Sequence, residues 1–487
     1  MILAIVVYAA LLILLGIAGY RKVKNENDFI IGGRRMGVLA SALGAEASDM
    51  SAWLFMGLPG AIFLTGAGEA WIAIGLLVGT IFNWLFIANR LREHSIEAND
   101  SITIPSFFEN ALTKAASFQN VISEAVAKKY AKAIKLIVSV VIILFFCVYV
   151  GSGFIAGGQI FSTIFGVNYT ACVLVIAAVI IIYSFLGGYL SVAWADIIQG
   201  IMIFIAVLLV PLLFMQLAPT AAEVPAEFMN PFSAGKGGLI QILSGLAWGL
   251  GYLGMPHIII RFMSIKSKAT VKKSAVVAIV WVVFSLFGAV LIGLIAKAKL
   301  VDVANPESVF FTMINQLFTN TEGSALAVNF PFLAGLLFCA IIGATMSTAA
   351  GQLLMASSVT AKDIIGEFAK KELSQANKLW INRIIIIIVT GIGILLALKP
   401  DTSIMSLVSL AWAGFGASFG PLLFLILYWR KRLTPQGALA GIITGALAIF
   451  VWETFLGFTG LYSLLPGFIA SFLAIVITSK ATSRSAA

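Results

Sequence analysis

The sequence predicts an all-α polytopic membrane protein of about thirteen transmembrane helices, ten of them in a five-plus-five inverted repeat. Three observations carry this. The chain is 61% hydrophobic and only 11% charged, with a mean hydropathy of +1.05, against roughly 45–50% apolar and about 25% charged in soluble domains. Its 487 residues contain thirteen apolar runs, most long enough to cross ~30 Å of hydrocarbon as helices. Two of those runs carry the same Gly-x-Pro interruption at corresponding places in the two halves.

The runs lie at about 2–20, 37–65, 70–89, 133–163, 170–187, 189–217, 237–262, 274–297, 330–360, 379–398, 402–429, 436–456 and 460–479. No Pro/Ser-rich or charged linker divides them, so 1–487 reads as one transmembrane domain: a peripheral first helix (2–20), a first repeat (37–217), a second repeat (237–429) and two peripheral C-terminal helices (436–479). The first run lacks a basic leading segment and an Ala-x-Ala cleavage site, so it reads as a retained span. An odd number of spans puts the termini on opposite sides.

Of the 31 Lys and Arg residues, 27 fall in loops on the side facing Arg21; only Lys236, Lys297, Lys299 and Lys399 fall on the other. The positive-inside rule then places the N-terminus outside and the C-terminus in the cytoplasm. The net charge of +10 is a topology signal whose partners are anionic membrane lipids, and it calls for no nucleic acid. Cys147, Cys172 and Cys339 sit in apolar runs without metal-ligand spacing and read as reduced packing residues. Residues 94–132 form a long cytoplasmic loop with a helical stretch, Ser123 to Lys135, expected along the membrane face. Residues 299–328 are long enough to hold a short outer helix or lid.

The second run contains Gly57-Leu58-Pro59 and the seventh contains Gly254-Met255-Pro256. Proline removes a backbone donor and clashes with the preceding turn, and glycine tolerates the resulting geometry. Unwound backbone at membrane depth survives only where it is buried in protein or lines a cavity. Ordinary proline kinks are the alternative for either break alone; the matched pair favours a binding site.

The second run also holds two carboxylates, Glu46 and Asp49. Asp49 has three readings: a cation ligand or attractor, a proton carrier, or half of a structural ion pair with Arg34, Arg35 or Arg261. Glu46, one turn earlier, points to another face. In the ninth run Ser347 and Thr348 are adjacent hydroxyls on a helix rich in Ala and Gly. They suit a hard monovalent cation, which takes several oxygen ligands, or they simply bond a neighbouring helix. Asp196 is either an interfacial cap or pair, or a second ion site or gate. His257 reads as a structural histidine or a proton relay. Two histidines in the whole chain leave no metal cluster. Trp53, Tyr149, Trp248 and Tyr252 form a candidate apolar cage with polar handles, the alternative being ordinary packing.

The motifs Ala47-Ser48-Asp49-Met50-Ser51, Trp248-Gly-Leu-Gly-Tyr252-x-Gly-x-Pro256-His257, Met346-Ser347-Thr348, Gly187-Gly188, Trp412-Ala-Gly-Phe-Gly and Gly437-Ala-Leu-Ala-Gly441 resemble those of the solute:sodium symporter family. The resemblance covers nearly the whole chain and is strongest to bacterial members that carry proline. It implies a leucine-transporter-type fold and a sodium site made by the carbonyls of Ala47, Met50 and Ala344 with the hydroxyls of Ser347 and Thr348, supported by Asp49 and Ser51. It further implies a proline site among Trp53, Tyr149, Trp248, Tyr252 and Pro256, with Ser51 contributing and Asp196 as a sodium-linked gate. The chain departs from the family pattern at Ala52, where glycine is expected, and at Ala349-Ala350-Gly351, where a more polar, cysteine-containing stretch is expected. The loop at 94–135 is also expanded.

The resulting expectation is a non-enzymatic carrier of the bacterial cytoplasmic (inner) membrane that imports L-proline with Na+ as coupling ion, by alternating access, with no other cofactor and no obligate protein partner. Rival readings are proton coupling through Asp49, another small solute such as a sugar or sialic acid, an intramembrane enzyme, and a transporter-derived sensor.

Overall fold

The computed structural model describes residues 1–117, 124–220, 223–232, 238–301, 303, 305–319, 330–369, 371, 373–398 and 403–484. Its longer helices are α1 (Ile2–Tyr20), α2 (Val38–Met50), α3 (Gly57–Thr65), α4 (Ala70–Phe82), α5 (Ile104–Ser117), α6 (Glu124–Phe165), α7 (Tyr169–Leu217) and α8 (Leu239–Gly251), followed by α9 (Pro256–Ser264), α10 (Lys268–Lys299), α11 (Val309–Phe318), α12 (Pro331–Ser358), α13 (Gln375–Ala397), α14 (Ile404–Tyr428), α15 (Pro435–Val451) and α16 (Leu464–Arg484). Among the described residues there is no strand, only an isolated bridge between Met36 and Ile265. Several helices start where a side chain caps them: Asn168, Ser267, Ser374, Ser403 and Thr434 each accept a hydrogen bond from an amide of the first turn.

Among the described residues ten helices are long and apolar enough to span a membrane, and two bent pairs raise the number to twelve: α2 with residues 52–65 at 65°, and α8 with α9 at 42°. The thirteen expected from the sequence is reached only if α7 counts twice. Straight, α7 would measure about 74 Å at 1.5 Å per residue, more than twice the hydrocarbon thickness. Inside it Gly188 takes φ 51° and ψ −141°, a conformation that favours glycine. There the chain folds back: Ser191 Oγ donates to Tyr183 O at 2.9 Å across eight residues of sequence. A continuous helix would hold those residues about 12 Å apart.

Two other expectations meet a different outcome. The stretch from Ser123 to Lys135 does not lie separately along the membrane face. Ser123 is outside the described residues, and Glu124 onward forms the first turns of α6, a continuous helix of 42 residues. Lys135 on that stem reaches Glu109 at 2.8 Å and also pairs with Glu367, which draws α6 against α5 and the end of the ninth span. Beyond residue 299 the expected short helix is α11, whose Phe310 stacks on Phe55 at 4.8 Å, directly over the broken second span.

The most enclosed spans are α12 and α14, with 83% and 89% of their apolar windows buried, against 22–28% for α1, α15 and α16. Close backbone approach sets α8 against α4. A Cβ on Gly75 would stand 2.3 Å from Gly245 O, one on Gly79 2.5 Å from Gly249 O, and one on Gly249 2.3 Å from Gly75 O. Gly75-x-x-x-Gly79 and Gly245-x-x-x-Gly249 thus face each other as paired small-residue motifs, a recurrent way for membrane helices to pack. Since α8 leads into the break before Pro256, this contact fixes where that break sits. Gly75→Ala therefore forces two backbones apart at a cost of about 1–3 kcal/mol. It should lower the apparent melting temperature of the detergent-purified protein by several degrees, whereas Gly391→Ala, which meets nothing within 4 Å, should leave it unchanged.

Candidate functional site

The second span stops being helical at Ser51, whose φ of 46° strains a non-glycine residue by about 1–3 kcal/mol. Its Oγ accepts from Trp53 N at 3.1 Å and starts the short turn Ala52–Leu54. Because α2 ends at Met50, the carbonyls of Ala47, Ser48, Asp49 and Met50 have no further turn to bond them. His257 Nε2, at the start of α9, lies 3.2 Å from Ser48 O. Its ring meets Phe146 and Tyr149 edge-on, so the histidine braces the two breaks against each other.

On α12, Thr348 Oγ1 donates to Ala344 O at 3.1 Å and Ser347 Oγ donates to Asp196 Oδ1 at 2.5 Å. Both hydroxyls are buried, and a hydroxyl whose proton is committed elsewhere offers its lone pairs to a cation. α12 lies against α2: a Cβ on Gly351 would be 3.8 Å from Ser48 Cβ. Ser51, Ala52, Tyr149, Thr345, Thr348, Ala349 and Gln352 line one small cavity of about 10 Å³. The break and Thr348 therefore meet at one point inside the protein.

Asp49 faces another way. Its Oδ2 accepts from Tyr252 OH at 2.5 Å, and it lines a second cavity of about 10 Å³ with Met50, Trp53, Leu76, Tyr149, Trp248, Val408 and Trp412. Trp248 is the centre of this aromatic cage, 5.6 Å from Trp53 and 6.2 Å from Trp412, and Trp412 packs edge-on to Tyr252. At ~10–15 Å³ a cavity holds one water, so both spaces are closed around their side chains. Pro256 lines neither cavity; it opens α9 and aims the helix.

None of the basic residues considered for Asp49 reaches it. Arg34 pairs with Asp100 at 2.8 Å and Arg35 with Asp28. Arg261 pairs with Asp196 at 2.7 Å, with side chains 2% and 0% exposed. Asp196 is thus no interfacial cap: it is a deeply buried carboxylate between Ser347 and Arg261. Arg261 lies over the Tyr189 ring, whose hydroxyl meets Ser264 Oγ at 2.7 Å. Glu46 Oε1 accepts from Trp84 Nε1 at 2.7 Å, on a separate face as expected.

Sequence reasoning missed two residues. Gln352 is fully buried, and neither of its amide atoms has a hydrogen-bond partner among the described residues. It lines the Ser51–Thr348 cavity, and its signal was present: it follows Thr348 by one helical turn on the same face. Trp412 walls the aromatic cage and donates from Nε1 to Trp248 O at 2.8 Å.

At the end opposite the basic loops a cavity of about 630 Å³ opens above the cage, lined by Glu69, Gln241, Ser244, Trp248, Met405, Ser409, Trp452, Glu453 and Tyr462 among others. Trp248 lines both this vestibule and the cage. At the basic end the bundle is pinned shut. Met36 N donates to Ser264 O and Lys266 N to Met36 O, both at 3.2 Å, while Arg34 and Arg92 donate to the carbonyls of Met263 and Ile265 at 2.6 Å.

The sodium:solute symporter family matches residues 29–445. The osmoregulated proline transporter OpuE of Bacillus subtilis is 36% identical over 100% of this chain and 95% of its own. The sodium/proline symporter of Escherichia coli K12 is 37% identical over 98% of this chain and 92% of its own. Among solved structures, a Na+-coupled sialic acid symporter in a substrate-bound, outward-open state superposes with a TM-score of 0.79 at 17% identity, covering 98% of this chain and 97% of that one. The likeness establishes the leucine-transporter-type fold.

The buried pair makes a direct prediction. Asp196→Ala leaves Arg261 as an uncompensated buried charge, which costs about 3–5 kcal/mol. Membrane yield and monodispersity on size-exclusion chromatography should collapse, and should recover in the double variant Asp196→Asn/Arg261→Gln, where both charges are gone.

Proposed function

The chain belongs to the sodium:solute symporter family, and from that premise we propose that it carries L-proline into the cell together with Na+ by alternating access. The observation that carries the reading is the meeting of a broken helix and the buried Thr348 hydroxyl at one cavity, with a closed aromatic cage beside it that shares the Tyr149 wall.

Sodium is held by the carbonyls of Ala47, Met50 and Ala344 and the hydroxyls of Ser347 and Thr348. The carbonyls of α2 are available because the helix stops there. Ser347 is available because Asp196 takes its proton. The proline ring sits among Trp53, Tyr149, Trp248 and Tyr252, whose faces suit a small apolar ring carrying a cationic nitrogen, and Ser51 contributes a polar contact beside it. Asp49 faces the cage, where its charge favours the protonated secondary amine of proline and, through space, the sodium ion. Pro256 acts through the placement of α9.

Asp196 connects the sodium site to the basic end. A cation arriving at Ser347 competes with Arg261 for the Asp196 carboxylate and so loosens α9, whose last carbonyls accept bonds that close that end. Each ligand then raises affinity for the other, by the same factor in both directions. The basic loops face the cytoplasm, with the N-terminus outside and the C-terminus inside. One Na+ per proline makes uptake electrogenic, worth about 2.3 kcal/mol per charge per 100 mV.

The test is uptake of labelled proline by proteoliposomes under an inward sodium gradient at fixed pH. Uptake should collapse when choline replaces sodium; uptake that follows a proton gradient and ignores sodium overturns the reading in favour of proton coupling through Asp49. In the same assay Ser347→Ala and Thr348→Ala should each raise the half-saturating sodium concentration about tenfold, corresponding to ~1.4 kcal/mol for one lost ligand. Asp49→Ala should also raise it, without loss of folded protein.

A further inference from the structure

The two C-terminal helices, α15 and α16, stand outside the repeat that makes the sites, yet the turn between them reaches back over the cage. Tyr462 in that turn stacks on Trp248 with ring centroids 5.1 Å apart and planes 20° from parallel. Its hydroxyl donates to Ser409 O on α14 at 2.7 Å, and its amide donates to Ser244 Oγ on α8 at 3.0 Å. The turn is itself braced: Trp452 Nε1 donates to Leu461 O at 2.9 Å, and Ser463 Oγ donates to Glu453 Oε1 at 2.6 Å.

Trp248 is the shared wall between the 630 Å³ vestibule and the 10 Å³ cage. On its cage side it meets Trp53; on its vestibule side it meets Tyr462. For solute to pass from the vestibule to the cage, Trp248 must move. It cannot swing toward the vestibule while Tyr462 is stacked on it and bonded to both α8 and α14.

We propose that Tyr462 is the latch of the vestibule-side gate: a positioning residue, supplied by the peripheral hairpin, that holds Trp248 over the cage and is released when α8 and α14 separate. The proposal rests on the alternating-access reading above. It gives the C-terminal hairpin a part in the transport cycle that its place outside the repeat does not suggest. The stack supplies the barrier, and the bond to Ser409 O ties the barrier to the distance between two spans. The latch therefore opens only when those spans part.

The test uses the full chain in nanodiscs with Cys147, Cys172 and Cys339 replaced by alanine and a reporter introduced by Leu76→Cys, which lines the cage. The rate of modification by a polar thiol reagent then reads access to the cage without any solute. Tyr462→Ala should speed modification about three- to tenfold, the worth of an aromatic pair. Tyr462→Phe and Tyr462→Trp, which keep a stacking ring and lose the bond to Ser409, should both fall between. In proteoliposomes Tyr462→Ala should raise the apparent KM for proline more than it lowers the maximal rate, a split that a merely damaged fold does not produce. Equal modification rates in the parent, Tyr462→Ala and Tyr462→Phe overturn the proposal, and Tyr462→Phe alone decides it if the alanine variant does not fold. If proline uptake is absent from the parent while modification still responds to Tyr462, the transport reading fails and the latch stands.

Discussion

The organisation of this protein follows from one constraint: α2 has to end at Met50 in the middle of the bundle. A helix that ends in water has its last carbonyls solvated, but one that ends inside a membrane protein leaves them to be met by something else. Here His257 takes one of them, from the matching break of the other half. The packing of α12 across α2 brings Thr348 to the same place, and Ser51 accepts a strained backbone to turn the chain away. The paired glycines of α4 and α8 hold the second break in register with the first.

Around that point the polar groups divide into two sets. Asp49 turns to Tyr252 and the aromatic cage, while Asp196 turns to Ser347 and Arg261. One carboxylate therefore lines the aromatic cage, and the other joins Ser347 to Arg261 on α9. Ser347 and Thr348 are neighbours in sequence, but only Ser347 bonds Asp196, while Thr348 donates to Ala344 O. Under the proposed function, this division lets one small region sense an ion, hold a solute and control an exit.

Much of this was legible in the sequence, for identifiable reasons. The spans were legible because hydrocarbon demands long apolar runs, and the breaks because proline and glycine leave a local mark. The hydroxyl pair stood out against its Ala/Gly background. What escaped were relations between distant segments. No local pattern says that Arg261 belongs to Asp196 and not to Asp49, whereas the reversal at Gly188 falls where the apolar runs 170–187 and 189–217 divide. Gln352 was overlooked because a single amide is unremarkable until its burial and its lack of partners are known. The turn carrying Tyr462 reads as an ordinary connection between peripheral helices, and only the fold brings it onto Trp248.

Under the proposed function, ion and solute share one site complex and stabilise each other through it. It is tested most directly by equilibrium binding to the purified protein: sodium affinity with and without saturating proline, and proline affinity with and without saturating sodium. The account predicts that each ligand tightens the other by the same factor at constant pH. Proline binding that is unchanged by sodium, or a factor that follows pH and not sodium, would contradict it.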